Sequence, residues 1–263
     1  MVTTLIILVI SIFVLVLWYG AVPRRAGLAS GTHQGLADTG ARQANGWFKL
    51  ATYNIHGGKG SDGVRDLRRT AEVLEGAHIV ALQEVRTGWF ADQTRELRNL
   101  LGLEGVFAPT QRRWFHDYRG NSLLSAYPIV RWESFYLPNA GGGRRYRIFS
   151  IAEIRIGAKA ISILFTHLHT RSGREQQLKI VLEHFARLPA PCALVGDLNS
   201  GQDNTAFTKL PGDAEDGIAL VLGAKDSPRV DWIITRGVEI RGGGCQDSVV
   251  SDHPYFWVEA RIR

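Results

Sequence analysis

Six short stretches of the chain set a carboxylate, amide or imidazole where an apolar run stops or starts. They are Asn54 in ATYNIHGG, Glu84 in IVALQEV, His167 in ILFTHLH, Asp197 with Asn199 in ALVGDLNS, Asp231 in RVDWII, and Asp252-His253 in VVSDHP. Apolar runs bounded by Gly, Pro, Asn or Ser read as core strands. A polar group just past a buried strand is rigidly held yet open to solvent, as a reacting site requires. The donors are oxygens and imidazoles without thiolates, a set that suits Mg²⁺, with Mn²⁺ as its substitute, rather than Zn²⁺. His167 and His169 share a strand face, but no third nitrogen or sulfur ligand at matching spacing completes a zinc site. Glu84 is the expected metal ligand, because a carboxylate closing an apolar strand is costly to bury without a cation or donor. Asn54 offers an amide oxygen to the same ion or an N–H to an anion. Asp197 and Asn199 alternate along a strand end and so project to one side, while an Asx turn at GDLNS is the ordinary alternative.

Strands and helices alternate through the folded part. FKLATYNI, HIVALQEV, CALVGDL, VDWIIT and YFWVEARI read as strands, with shorter ones at Gly105–Phe107, Asn121–Ser125 and Ile129–Leu137. Tyr146–Ile156 and Ala160–His167 read as a hairpin turning at Gly157-Ala158. Helices are expected at Leu67–Leu74, Asp92–Leu101 and Gln176–Leu188, the last with Leu178, Val181, Leu182 and Phe185 on one stripe. The mixture argues for an α/β domain with much antiparallel pairing.

The ordered series resembles the endonuclease/exonuclease/phosphatase superfamily from about Phe48 to Ile262, nearly all of the chain after its apolar start. The resemblance implies a four-layer α-β-β-α sandwich, two mixed and mostly antiparallel sheets face to face with helices outside and the site at one end. It implies Mg²⁺-dependent hydrolysis of phosphoric esters. Glu84, Asn54 and Asp252 are then carried over as metal-site residues, and Asp197 as the group that orients or deprotonates the water. Asn199 holds phosphate oxygens. Asp231 pairs with His253, fixing its tautomer and favouring the imidazolium. His167 matches a position that contacts phosphate or gives general-acid help, and His169 stays peripheral. Gln111–Arg119 reads as a basic, aromatic substrate loop entering GNSLLSAYPI, so Arg113, Tyr118 and Asn121 are expected at the substrate, Tyr118 as a phosphate contact. Gly141–Arg147 is a second such loop, adding Arg145.

The 263 residues, 45% hydrophobic and 21% charged, suit one α/β domain at 47–263. Two cysteines exclude a disulfide framework, and nothing adjoining Cys192 or Cys245 in sequence activates a thiol. The net charge of +6 favours anionic partners, nucleic acid or phospholipid. Val2–Trp18 is uncharged and ends in Trp18-Tyr19, so residues 1–20 are expected to form a single-pass membrane anchor. A cleaved signal peptide is disfavoured because its basic n-region is missing. Residues 21–46 read as a flexible linker, and Arg24, Arg25 and Arg42 place the domain on the cytoplasmic side. Three enzyme classes compete: a nuclease-like phosphodiesterase, which is slightly favoured, a sphingomyelinase-type lipid phosphodiesterase, and a phosphoinositide phosphatase. A membrane-tethered phosphate-binding module is the non-enzyme alternative, which the full set of acids and histidines argues against. A monomer is expected.

Overall fold

The structure is a computed structural model that describes residues 2–32, 46–88, 91–114, 117–139, 145–223 and 229–263. Arg42, Phe115, His116 and Gly141–Arg144 of the expected linker and loops lie outside the described residues. An N-terminal helix, α1 (Val2–Ala21), precedes two short strands, β1 (Arg24–Arg25) and β2 (Ser30–Thr32). There follow β3 (Trp47–Asn54), α2 (Leu67–Val73), β4 (Ile79–Thr87), α3 (Gln93–Leu101), β5 (Glu104–Arg113) and β6 (Asp117–Ser125). Then come β7 (Ile129–Tyr136), β8 (Ile148–Ile156), β9 (Lys159–His167), α4 (Arg174–Arg187) and β10 (Cys192–Asp197). The chain ends with β11 (Glu215–Asp216), α5 (Gly217–Leu222), β12 (Asp231–Arg236), β13 (Val238–Gln246) and β14 (Tyr255–Ile262).

Two sheets of seven strands result, ordered β1-β5-β6-β4-β3-β14-β13 and β11-β12-β10-β9-β8-β7-β2. Pairing is antiparallel except for β3 with β4 and β9 with β10. The central core lies between the sheets, where Phe48, Leu50, Ile79 and Leu123 meet Ile163, Phe165, Val195 and Ile233. Opposite-facing residues of the same strands pack under helices. Tyr53, Val80 and Leu82 meet Leu67 of α2, Leu74 just past its end and Leu97 of α3, and Leu164 and Leu194 meet Leu178, Val181 and Phe185 of α4. Strands apolar on both faces read as continuous runs, which is why they were legible. The fold is the expected α-β-β-α sandwich. Asp66 and Asp92 start α2 and α3 by accepting the backbone N–H of Arg68 and Arg95.

Three expectations are corrected. The described part of residues 21–46 is not a free linker. Arg24 and Arg25 pair with Arg112 and Gln111, and Ser30–Thr32 pair with Arg131–Glu133. Ala26 is buried, donating its N–H to the Thr110 carbonyl and accepting the Tyr136 hydroxyl. Sheet edges present unpaired N–H and C=O groups, and two or three residues satisfy them without any apolar periodicity. Next, most of the expected Gln111–Arg119 loop is the facing ends of β5 and β6. Last, α5 and β13, which carries Cys245, are elements beyond those expected; in β13 Gly242–Gly244 interrupt the alternation, and α5 is only six residues long. The helix α1 has no buried residue and is long and apolar enough to cross a membrane, a property shared by spans and signal sequences.

The strand β10 carries the key acid and depends on Gly196. Its φ is +145°, and a Cβ there would fall on the Thr166 carbonyl of β9. Gly196→Ala is therefore expected to lose about 2–4 kcal/mol in a urea titration. Gly212→Ala, in open space at a turn, should stay within about 0.5 kcal/mol; equal losses would show that the close approach is not the constraint.

Candidate active site

Register brings the polar strand ends together. Asp197, the last residue of β10, is directly opposite His167 on one neighbour and Asp231 on the other. Asn54 closes β3 of the facing sheet, and its Nδ2 donates to Asp197 Oδ2 at 3.2 Å. Asp197 Oδ1 accepts the Asn199 backbone N–H at 2.9 Å, so the Asx turn is present and serves the site rather than replacing it. His167 Nε2 and His253 Nε2 lie 3.3 and 3.8 Å from Asp197 Oδ2. Burial lifts the pKa of Asp197 and the charge of Asp231 lifts it further. His253 and the two N–H donors pull it back, leaving about 7. A carboxylate poised there can take a proton from water.

The expected Asp231–His253 pair forms, with Nδ1 2.8 Å from Asp231 Oδ2. Burial opposes the charged ring, but the Asp231 hydrogen bond and the charges of Asp231, Asp197 and Asp252 outweigh it and lift the pKa to about 9. His253 is therefore an imidazolium at neutral pH. Asp197, Asp231 and His253 present atoms within 4.8 Å of one another, close enough for a metal. A doubly protonated imidazole has no lone pair to give, so this triad suits proton and hydrogen-bond chemistry better than direct ligation. His167 behaves oppositely. Burial, then the positive charges of Arg147 and His253, hold its pKa well below the usual value. This favours the neutral ring, which stands against Asp197. His169 is peripheral, with Nε2 on the Arg145 carbonyl at 2.7 Å.

Backbone strain marks the same place. Four described residues other than glycine have left-handed φ, namely His56 (48°), Glu84 (59°), Trp114 (50°) and Asn199 (49°), and three of these adjoin the site. Glu84 lies where the β4–β6 register shifts between Leu82 and Val85. The bulge turns its side chain into a cleft of about 590 Å³ that Asp252, His56 and His167 also line. The Glu84 carboxylate makes no hydrogen bond or ion pair among the described residues. Asp252 is half exposed, with Oδ1 3.6 Å from His56 Nδ1. These unsaturated oxygens fit a hard cation. Asn54 is turned inward, its Oδ1 accepting the His56 N–H. The strand stops at Asp197, so Asn199 does not continue its alternation, and its Nδ2 donates to the Leu168 carbonyl at 2.9 Å.

Guanidinium groups dominate the rest of the cleft: Arg86, Arg113, Arg119, Arg145 and Arg147. None forms an ion pair among the described residues, and the buried Nε atoms of Arg113, Arg119 and Arg147 have no partner. Burial presses Arg147 down to about 10 against the pull of Asp197 and Glu84. Burial and neighbouring arginines also lower Arg86 and Arg119. Crowded, unpaired cations are a standing demand for anions. Of the expected substrate residues, Arg113, Asn121 and Arg145 line the cleft. Tyr118 does not: Arg119 and Asn121 line the cleft from alternate positions of β6, and Tyr118, one residue before Arg119, is not among the lining residues. Sequence reading missed Arg86, Arg119, Arg147 and His56. The alternation Arg119-x-Asn121 is the available signal, and it becomes visible only once the strand at Asn121–Ser125 is extended back to Asp117.

No curated protein matches the chain by sequence. Among solved structures, an endonuclease/exonuclease/phosphatase from Beutenbergia cavernae is 24% identical with a TM-score of 0.66, covering 82% of this chain and 72% of that one. A truncated TDP2 from Caenorhabditis elegans is 18% identical with a TM-score of 0.62, covering 82% and 97%. A mannosyl-6-phosphatase from Bacteroides thetaiotaomicron is 17% identical with a TM-score of 0.62, covering 81% and 99%. These similarities concern the fold. The model of the Endonuclease/Exonuclease/phosphatase family matches residues 51–253, from β3 through the Asp252-His253 pair, and the chain therefore belongs to that family of phosphoester hydrolases.

Proposed function

We propose that the chain is a membrane-anchored, Mg²⁺-dependent hydrolase of phosphoric esters, with Glu84 and Asp252 holding the ion, while the inward-turned Asn54 serves Asp197 instead. The observation that carries this is the buried Asp197, wedged between His167 and the Asp231–His253 pair at the end of an arginine-lined cleft. When bound, the cation neutralises phosphoryl oxygens and the leaving oxygen. Asp197 takes a proton from water as the water oxygen bonds to phosphorus and the ester P–O bond breaks. His253, held charged by Asp231, donates to a phosphoryl oxygen, as does a neutral His167 N–H. The cleft arginines hold the phosphate in line and exclude positively charged competitors. The nuclease-like reading, supported by the basic and aromatic character of Arg113 and Tyr146 in the cleft, shares this machinery with a lipid phosphodiesterase.

Activity on bis(p-nitrophenyl) phosphate is expected to vanish after metal stripping with EDTA and to return with Mg²⁺ or Mn²⁺. Glu84→Gln should raise the Mg²⁺ concentration for half activity besides lowering the rate. Undiminished turnover in stripped protein excludes the metal role.

The His253 pair makes a separate test. His253→Ala is expected to lose about 10²-fold or more in kcat, the usual size for removing a positioned donor. In the metal-free protein Asp197 ionises near 7, and a bound cation moves that limb lower; the rate then falls as His253 loses its proton through about 9. Asp231→Asn removes what raises the His253 pKa, so the alkaline limb must move to lower pH. The double variant should be little worse than His253→Ala alone; losses that multiply would show two independent groups.

A further inference from the structure

The end of α1 is pinned to the rim of the cleft. Trp114 donates its backbone N–H to the Gly20 carbonyl at 2.7 Å, and β1 pairs with β5 at Arg24↔Arg112 and Arg25↔Gln111. Arg24 donates to the Tyr19 carbonyl at 2.8 Å and stacks over the Tyr19 ring at 3.5 Å. Pro23 already lines the cleft, two residues after α1 ends at Ala21. Two residues of chain reach at most ~7 Å. If α1 lies in a bilayer, the cleft mouth therefore sits at the headgroup layer and cannot swing away.

Alternation along β5 makes this more than proximity. Gln111 and Arg113 face the cleft, whereas Arg112 and Trp114 face a second, apolar groove of about 430 Å³. Leu15, Val16, Trp18 and Tyr19 of α1 form its other wall. Leu15 stands six residues before the helix end, ~9 Å deeper along the axis. Trp18, Tyr19 and Trp114 are the aromatic types that settle at a bilayer interface, and Arg24 and Arg112 stand at the groove as partners for lipid phosphates. One strand end thus separates a cationic cleft from an acyl-sized groove running down the membrane helix.

We propose that the substrate is a phospholipid of the leaflet that receives α1, its phosphorylated headgroup in the arginine cleft and an acyl chain in the groove between α1 and Trp114. The proposal rests on the hydrolase reading above and on retention of α1. The charge of the cleft narrows the class. Five arginines against Glu84 and Asp252 leave +5 − 2 = +3 before any cation binds, so the headgroup carries more than one negative charge. A zwitterionic headgroup brings a cation into a site already crowded with them. A nucleic acid is disfavoured because its continuous charge must approach along an anionic surface. The reaction is the same hydrolysis: the water oxygen bonds to phosphorus as hydroxide, one P–O ester bond breaks, and the proton taken from the water ends on the leaving oxygen or in solvent.

The test uses the full chain reconstituted in phosphatidylcholine vesicles containing phosphatidic acid, cardiolipin or a phosphatidylinositol phosphate, with Mg²⁺. Bis(p-nitrophenyl) phosphate and a single-stranded DNA oligonucleotide serve as soluble substrates. The expected result is hydrolysis of one of the multiply charged lipids, with phosphatidylcholine spared. Trp114→Ala should lower the ratio of vesicle to soluble-ester rates about tenfold, the scale of the apolar area this exposed ring would bury against an acyl chain, and Trp114→Phe should restore most of it. Turnover of the soluble ester with every vesicle lipid untouched overturns the lipid assignment and leaves the hydrolase intact, as does preference for the oligonucleotide. Zwitterionic lipid consumed as fast as anionic lipid overturns the charge argument. An unchanged ratio in Trp114→Ala, or a mature chain found by intact mass to lack α1, overturns the groove. Loss of all turnover, soluble ester included, removes the hydrolase reading and the lipid with it.

Discussion

Asp197 is a carboxylate with about 1% of its surface exposed, set at the end of a strand that is buried on both faces. Leaving such a group unpaired in the interior costs several kcal/mol, and the surroundings are arranged around that cost. Asn54 reaches across from the other sheet, the Asn199 N–H closes a turn beneath it, and two imidazoles stand nearby at 3.3 and 3.8 Å. These groups come from both sheets, so the sandwich must close before the acid is satisfied. The compensation is incomplete, which is why its proton affinity sits near neutrality rather than in the carboxylate range.

The two histidines show how position, not residue type, decides chemistry. His253 leans on Asp231 and faces three acids, so it holds its proton despite burial. His167 is more deeply buried and faces Arg147 and His253, so it is neutral. The two imidazoles are thereby driven apart, one kept charged and the other kept neutral beside the same acid. Strain serves the same end. Left-handed backbone at His56, Glu84 and Asn199 re-aims polar groups that regular strands would have pointed into packed layers.

Charge and anchorage meet on β5 and β6. Their facing ends supply Arg113, Arg119 and Asn121 to the cleft, and the same β5 end grips the chain as it leaves α1. A hinge-like linker would have let the domain roam, and with it the cleft. Edge pairing by Arg24 and Arg25 removes that freedom, so any membrane held by α1 sets the orientation of the site.

Much of this was present in the order of residues. Runs such as VALQ and CALV could only be doubly buried strands, and acids or amides at their ends could only sit at one rim of the sheets. The four-layer sandwich and the Asp231–His253 pairing followed from that pattern together with the family resemblance, as did the gathering of Asp197 with His167 and Asn54. What tertiary structure alone decided was of two kinds. The proton affinities of His167 and His253 depend on which charges the fold brings near, and no spacing in the chain reports that. The pairing of Arg24–Arg25 with β5 and the assembly of five arginines in one cleft depend on contacts between segments with no apolar period to announce them. Hydrophobic patterning encodes what must be buried. It does not encode which edge a short polar segment will add to, because there the backbone hydrogen bond, common to every residue, does the choosing.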